Sequence, residues 1–313
     1  MRKRYIAFAV VIALGAVLSL FTFLYWNNQE SDESKLLPEK TGYVLQSGVR
    51  YLNDSNPYHL MDVYLPIGDG PFPAMIYLHG GGWVEGNRSE FGATAAFYAK
   101  RGIAGFTIDY TLATQNNSAW PTNIDDALAA VRYIKNNAQN FSVDPSRIAS
   151  VGNSAGAQLA SLLGTLSGDE SFLANSTTEH VNSQVQLVIN YASVADLEFV
   201  GKNRTENNNL IYSIVSSLFG NVSYEQNPNL WKEASPATYI SADDATFVFV
   251  HGIYDRIVPI EIAESFNTKL QNVGVETYFV KIDGDHHILT NEWWNLQARY
   301  TIEPVLRRVF DLN

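Results

Sequence analysis

Two glycine-rich motifs carry the residues of this sequence that are best suited to chemistry. Gly-Asn-Ser-Ala-Gly over 152–156 presents Ser154 between two glycines, and His-Gly-Gly-Gly-Trp over 79–83 precedes it along the chain. A serine hydroxyl can attack a carbonyl carbon, and a glycine-rich turn leaves backbone N–H groups uncovered for an oxyanion. The two motifs together therefore predict acyl-transfer chemistry.

Ser154 has the local sequence of a nucleophile elbow, the sharp turn that leads from a strand into a helix. An apolar run over 147–151 precedes the motif, and a helix-forming run over 157–163 follows it. Gly152 and Gly156 leave space where side chains would clash, so a strained turn can form and expose the hydroxyl. We predict that Ser154 is the nucleophile; the alternative is an ordinary Gly/Ser turn.

The first motif is predicted to supply the oxyanion donors. An apolar run over 73–78 predicts a buried strand that leads into the three glycines. We assign the N–H groups of Gly81 and Gly82 as donors, together with the N–H group of Ala155, directly after the nucleophile. His79 precedes the serine and anchors the loop, so we predict a structural role for it. The alternative for the whole segment is a flexible surface loop.

The two motifs, with Asp-Tyr-Thr-Leu-Ala over 109–113 between them, resemble those of a known group. They are similar to the α/β-hydrolase esterases of the hormone-sensitive-lipase and feruloyl-esterase-like (BD-FAE) type, over approximately residues 40–310. The resemblance implies an α/β-hydrolase fold with a mainly parallel central sheet, helices on both faces and a small cap insertion. It also implies a catalytic triad in the chain order serine, acid, histidine.

The acid of this triad is predicted at Asp255. An apolar strand pattern over 246–250 precedes it, and Asp255 follows in the loop at the carboxyl end, where catalytic groups of α/β sheets collect. Residues 251–259 also resemble the family's His-Gly-x-x-Asp-x-x-Val-Pro segment, in which His251 is expected to be structural. The alternative role for Asp255 is a turn or capping aspartate before the helix predicted over 260–272.

The base is predicted at His286, with His287 as the alternative. Both histidines follow the last predicted strand. In the resembling enzymes an apolar residue stands two positions after the base, which favours His286 because of Ile288. A count of three positions from Gly284 favours His287 instead, so the sequence leaves open which histidine is the base.

These roles predict a serine carboxylesterase that acts on short-acyl esters. The histidine takes the proton of Ser154 as its Oγ attacks the ester carbonyl, Asp255 fixes the imidazole tautomer, and an acyl-serine forms. No metal or organic cofactor is needed for this chemistry. The adjacent pair His286 and His287 also lacks the His-x-x-x-His spacing of a helical zinc site.

Two other functions remain open. One is a serine peptidase of the prolyl-oligopeptidase kind, which shares the triad order but normally needs a large propeller domain, for which this chain has no room. The other is a non-catalytic binding module of the same fold. Such modules usually lack the serine or the histidine, whereas both residue types are present here.

Length and composition fit one large α/β domain. The chain has 313 residues, of which 46% are hydrophobic, enough to bury a single large core. Predicted strands alternate with predicted helices, which indicates a mainly parallel sheet. The strands cover 73–78, 103–108, 147–151, 185–191, 246–250 and 277–282. Examples of the helices are 124–134 and 260–272, and a last helix is expected around 300–310.

A cap insertion is predicted over 198–232. Its apolar stretch over 210–219 either lines an acyl pocket or forms the core of the cap. The indoles of Trp83, Trp120 and Trp231 likewise either line a pocket or belong to the core.

The N-terminal residues form a separate element. Residues 1–4 are basic, residues 5–26 form an uncharged apolar stretch, and residues 27–40 are a polar, acidic tether that leads to a catalytic domain over 41–313. The stretch is long enough to cross a bilayer as a helix, and its basic flank should stay cytoplasmic. We expect a signal anchor with an extracytoplasmic catalytic domain; a cleaved signal peptide and a secreted enzyme are the alternative.

The charge of the chain limits the expected partners. It carries 32 acidic against 21 basic residues, a formal net charge of −11, and Arg2, Lys3 and Arg4 supply three of the basic ones. Such a surface repels nucleic acid. The expected partners are therefore a small-molecule ester and, through the anchor, a membrane. The sequence contains no cysteine, so no disulfide forms, and it does not indicate the oligomeric state.

Overall fold

The computed structural model of the protein describes residues 35–166, 182–204, 209–284 and 292–312. The chain divides into two compact units, Met1–Leu37 and Pro38–Asn313. The second unit contains the sheet and its helices. The predicted anchor and residues 27–34 of the predicted tether lie outside the described residues. Within the described residues, no helix is long and apolar enough to cross a membrane.

A mainly parallel sheet forms the centre of the second unit. Its eight strands lie in the order β1-β2-β4-β3-β5-β6-β7-β8; β1 and β2 are antiparallel to their neighbours, and β3 to β8 run parallel. The strands are β1 Tyr43–Arg50, β2 Leu60–Pro66, β3 Phe72–Leu78, β4 Ala104–Ile108, β5 Val143–Asn153, β6 Leu187–Tyr191, β7 Thr246–Gly252 and β8 Thr277–Ile282. This arrangement confirms the predicted α/β class.

The helices between these strands cover both faces of the sheet. Those in the described residues are α1 Gly92–Ala99, α2 Thr122–Asn136, α3 Ala155–Thr165, α4 Leu197–Lys202, α5 Asn209–Leu218, α6 Pro228–Glu233, α7 Ile260–Asn272 and α8 Glu292–Phe310. The crossover β3-α1-β4 and the crossover β5-α3-β6 move in opposite directions along the sheet. Because such crossovers are right-handed, α1 and α3 lie on opposite faces.

Two strands and part of one helix differ from the predictions. The strand β1 was not predicted because it is an edge strand with mostly exposed side chains and lacks an apolar run. The strand β2 was not predicted either, although most of its side chains are buried. The last helix begins at Glu292 rather than near residue 300. Its buried face extends further towards the N-terminus than predicted, since Ala298 is buried four residues before buried Ile302.

The tryptophans belong to the core. Trp83 and Trp231 are fully buried, and Trp120 is nearly so. Trp231 organises the segment after β6, because the rings of Tyr212, Phe219 and Tyr224 surround it with centroids 5.0, 5.6 and 5.9 Å away. In the predicted cap segment, α5 and α6 thus pack around this indole, which belongs to the same hydrophobic core as the sheet.

Candidate active site

Ser154 lies at a strained turn between β5 and α3. Its backbone angles are φ +53° and ψ −116°, a left-handed conformation that non-glycine residues seldom adopt. The Ser154 N–H group donates to the carbonyl oxygen of Tyr191 at 2.9 Å, and the Ser154 carbonyl accepts from Ala157 N at 3.0 Å. The turn is thus tied to the neighbouring strand β6 and to the first turn of α3.

The two glycines around Ser154 are required by close backbone approaches. A Cβ atom at Gly152 would overlap the carbonyl of Gly156, and a Cβ atom at Gly156 would overlap the carbonyl oxygens of Leu78 and His79. The start of α3 therefore packs directly against the carboxyl end of β3. This contact brings the serine motif beside the motif over 79–83.

The loop after β3 keeps the predicted oxyanion donors available. Gly81 and Gly82 have φ values of +102° and +59°, and the carbonyl of Gly81 accepts hydrogen bonds from Val84 N and Glu85 N at 3.1 Å each. In the part of the chain that the structure describes, the N–H groups of Gly81, Gly82 and Ala155 donate to no protein acceptor. They are three unused donors on neighbouring segments.

A carboxylate that the sequence did not single out joins the two motifs. Glu90 accepts a hydrogen bond from Gly80 N, with its two oxygens 3.2 and 3.3 Å away, and another from Asn153 Nδ2 at 3.4 Å. Glu90 therefore bridges the residue before Ser154 and the loop over 79–83, which we call the oxyanion loop for its predicted role. The residue stands in a polar, exposed stretch, so no periodic pattern in the sequence could have identified it.

His79 has a structural environment, in agreement with its predicted role. Its ring stacks on Tyr110 with centroids 4.2 Å apart, its Nδ1–H group donates to Gly80 O at 2.7 Å, and its carbonyl accepts from the Tyr110 hydroxyl at 2.7 Å. Burial lowers the pKa of the His79 imidazole. The neutral ring fixes the start of the loop.

Asp255 is held by backbone donors at the carboxyl end of β7. Its side chain is buried, and Oδ1 accepts from Ile257 N at 2.8 Å and Val258 N at 2.9 Å. His251 Nε2 donates to Val258 O at 2.9 Å and lies 3.7 Å from Asp255 Oδ2. His251 thus supports the loop that orients the carboxylate, as the sequence suggested.

The chain that leads to the paired histidines contacts this acid loop. Ile253 N donates to Ile282 O at 2.9 Å, and Tyr254 N donates to Gly284 O at 3.0 Å. His286 and His287 lie outside the described residues, so the choice between them stays a prediction. Gly284, the last described residue before the two histidines, is thus hydrogen-bonded to Tyr254, the residue that precedes Asp255.

The site lies where the direction of the crossovers reverses. The loops after the adjacent strands β3 and β5 run to opposite sides of the sheet, and ligands of open α/β sheets bind in the crevice at such a point. One loop carries Gly81 and Gly82, and the other carries Ser154. Among the described residues, no group of three or more His, Asp or Glu side chains could hold a metal ion.

Comparison with known proteins agrees with this arrangement. A sequence model of the BD-FAE family matches residues 61–270. The esterases LipC and LipQ of Mycobacterium tuberculosis are 27% and 26% identical to the chain; the alignments cover 78% and 69% of it, and 60% and 50% of the relatives. The chain therefore spans between half and two thirds of the length of these relatives.

A solved structure shows the same fold. A truncated carbohydrate esterase from gut microbiota superposes with a TM-score of 0.71 at 23% sequence identity, over 86% of this chain and 99% of that one. At this identity the likeness concerns the fold alone. It confirms the α/β-hydrolase fold that the motifs implied.

Proposed function

The chain belongs to the BD-FAE family, and from this membership we propose that it is a serine carboxylesterase for short-acyl esters. One observation carries the proposal. Ser154, held at a positive φ at the start of α3, packs beside a loop in which the N–H groups of Gly81 and Gly82 have no protein acceptor among the described residues. The esterase relatives LipC and LipQ support the same reaction class.

In the proposed mechanism, His286, or alternatively His287, accepts the proton of Ser154 as Oγ attacks the ester carbonyl. Asp255 stabilises the imidazolium and fixes its tautomer. The carbonyl oxygen becomes an oxyanion that the N–H groups of Gly81, Gly82 and Ala155 stabilise. Removing one such donor typically costs about 10²–10³ in kcat. The histidine protonates the departing alcohol, and water then hydrolyses the acyl-serine by the same steps.

The preference for short acyl chains rests on the position of α5. A Cβ atom built at Gly82 would lie 3.1 Å from Cγ2 of Ile214, and the Ser217 hydroxyl lies 3.5 Å from the carbonyl oxygen of Gly82. The helix therefore packs directly on the oxyanion loop. In the proposal, this helix forms the wall that limits the acyl chain of a bound ester.

A panel of p-nitrophenyl esters tests the proposed function and its substrate class. We expect kcat/KM to be higher for acetyl to hexanoyl esters than for decanoyl or longer ones, because the wall at α5 limits the acyl chain. The Ser154→Ala variant measured on the same panel gives the non-enzymatic background. Faster turnover of the decanoyl or longer esters, or of long-chain triglycerides assayed beside the panel, would contradict the short-acyl proposal. No turnover above background would contradict the esterase proposal.

We also propose that residues 5–26 anchor the enzyme in a membrane, with residues 1–4 in the cytoplasm. This proposal rests on the apolar length and the basic flank of the segment. Cell fractionation should recover the full-length protein with the membranes, and external protease should digest the catalytic domain only after the outer layers are opened. A mature N-terminus beyond Trp26, determined by N-terminal sequencing, would show instead that the chain is cleaved and secreted.

A further inference from the structure

We propose that Gln158 is a positioning residue that fixes the oxyanion loop through Trp83. Gln158 lies one turn after Ser154 in α3, and its side chain is fully buried. Its Oε1 accepts the indole N–H group of Trp83 at 3.1 Å, and its Nε2 donates to the carbonyl oxygen of Ala234 at 2.8 Å. One side chain thus joins the nucleophile helix, the oxyanion loop and Ala234, the residue that follows α6.

The chemistry of the two partners requires an amide at this position. An indole N–H group can only donate, and a backbone carbonyl can only accept. Gln158 meets both needs with one end of its amide each, so the partners also determine the orientation of the amide. A buried polar group that loses its partner typically costs about 1–3 kcal/mol. An apolar residue would leave the Trp83 indole and the Ala234 carbonyl without these bonds.

Trp83 transmits this constraint to the oxyanion donors. It follows Gly82 directly, is fully buried, and has a φ of +62°, a conformation that a bulky residue keeps only when its surroundings hold it. Its carbonyl accepts from Ala113 N at 2.7 Å. The direction of the Gly81 and Gly82 N–H groups therefore depends on how the indole is held. Gln158 itself is fully buried and both ends of its amide are bonded to the protein, so it acts through the loop.

The inference rests on the proposed acyl transfer, and sulfur substitution in the substrate tests it. Sulfur is larger than oxygen and a weaker hydrogen-bond acceptor, so an intact oxyanion hole favours the ester over its thionoester. We expect Gln158→Leu to lower kcat for p-nitrophenyl acetate by at least about 10-fold with little change in KM, since misaligned donors weaken transition-state binding. The ratio of ester to thionoester turnover should fall with it.

Trp83→Phe removes the same hydrogen bond from the other side. It should lower the ester to thionoester ratio in the same way, and the double variant should be hardly worse than either single variant, because both changes break one linkage. Ser161→Ala is the matched control: Ser161 is buried in the same helix and donates to Ala157 O at 2.7 Å. It should lose stability and keep the wild-type ratio.

The outcomes separate this inference from the proposed function. A folded Gln158→Leu variant with the wild-type ester to thionoester ratio would overturn the positioning role alone. If the Gln158→Leu variant does not fold, the ester to thionoester ratio of Trp83→Phe tests the positioning role instead. A wild-type ratio in Trp83→Phe would again overturn that role. A wild-type enzyme that neither hydrolyses esters nor reacts with a fluorophosphonate probe would overturn the proposed function and the inference with it.

Discussion

Ser154→Ala is expected to lower kcat for p-nitrophenyl acetate by about 10⁴-fold or more, while the protein stays folded. Oγ of Ser154 is the nucleophile of the proposed mechanism. When it is removed, the N–H groups of Gly81 and Gly82 can provide only the residual catalysis of an oxyanion hole. The substitution removes one oxygen atom and keeps the backbone turn, so the melting temperature should change little. Initial rates and a thermal unfolding curve measure the two effects.

Labelling by a fluorophosphonate probe provides a second readout of the same variant. The probe forms a covalent bond to an activated serine, so labelling should disappear in Ser154→Ala. Ser150→Ala serves as the control, since Ser150 lies in β5 and its buried hydroxyl donates to Ala160 O at 3.0 Å. That variant should keep full labelling. Turnover at the wild-type rate by Ser154→Ala would remove Ser154 from the mechanism.

The sequence predicted the strained turn at Ser154 because the requirements of this turn are local. Gly152 and Gly156 are needed by contacts with each other and with the end of β3, so the motif itself specifies the elbow. The strands β3 and β7 were predicted because they are buried on both faces and read as continuous apolar runs. The edge strand β1 has mostly exposed side chains and gives no such signal.

The side-chain hydrogen bonds that hold the site in place could not be predicted, because they join residues that are distant in the sequence. Gln158 binds Trp83 and Ala234, each about 75 positions away, and Glu90 binds Asn153. One signal in the sequence could have pointed to Gln158: it is an amide within a largely apolar helix, and a buried amide must find hydrogen-bond partners. The identity of those partners follows only from the fold.

Substitution of the paired histidines should separate the base from its neighbour. If His286 is the base, His286→Ala should lower kcat by about 10³-fold or more, comparable to the loss of Ser154, because triad members act as a unit. His287→Ala should then cost far less, through changes in loop packing alone. Both variants are purified and assayed beside Ser154→Ala, and each serves as the control for the other.

The pH dependence of kcat/KM gives an independent test of the same assignment. The base must be neutral to accept the Ser154 proton, so activity should fall as the pH drops below the pKa of its imidazole, ordinarily about 6.5. This acid limb should persist in His287→Ala, because that variant keeps the titrating base. The hydrogen bond from Tyr254 N to Gly284 O holds Gly284, the last described residue before the two histidines, beside the Asp255 loop. An inactive His287→Ala with a nearly normal His286→Ala would therefore move the base by one residue and leave the roles of Ser154 and Asp255 unchanged.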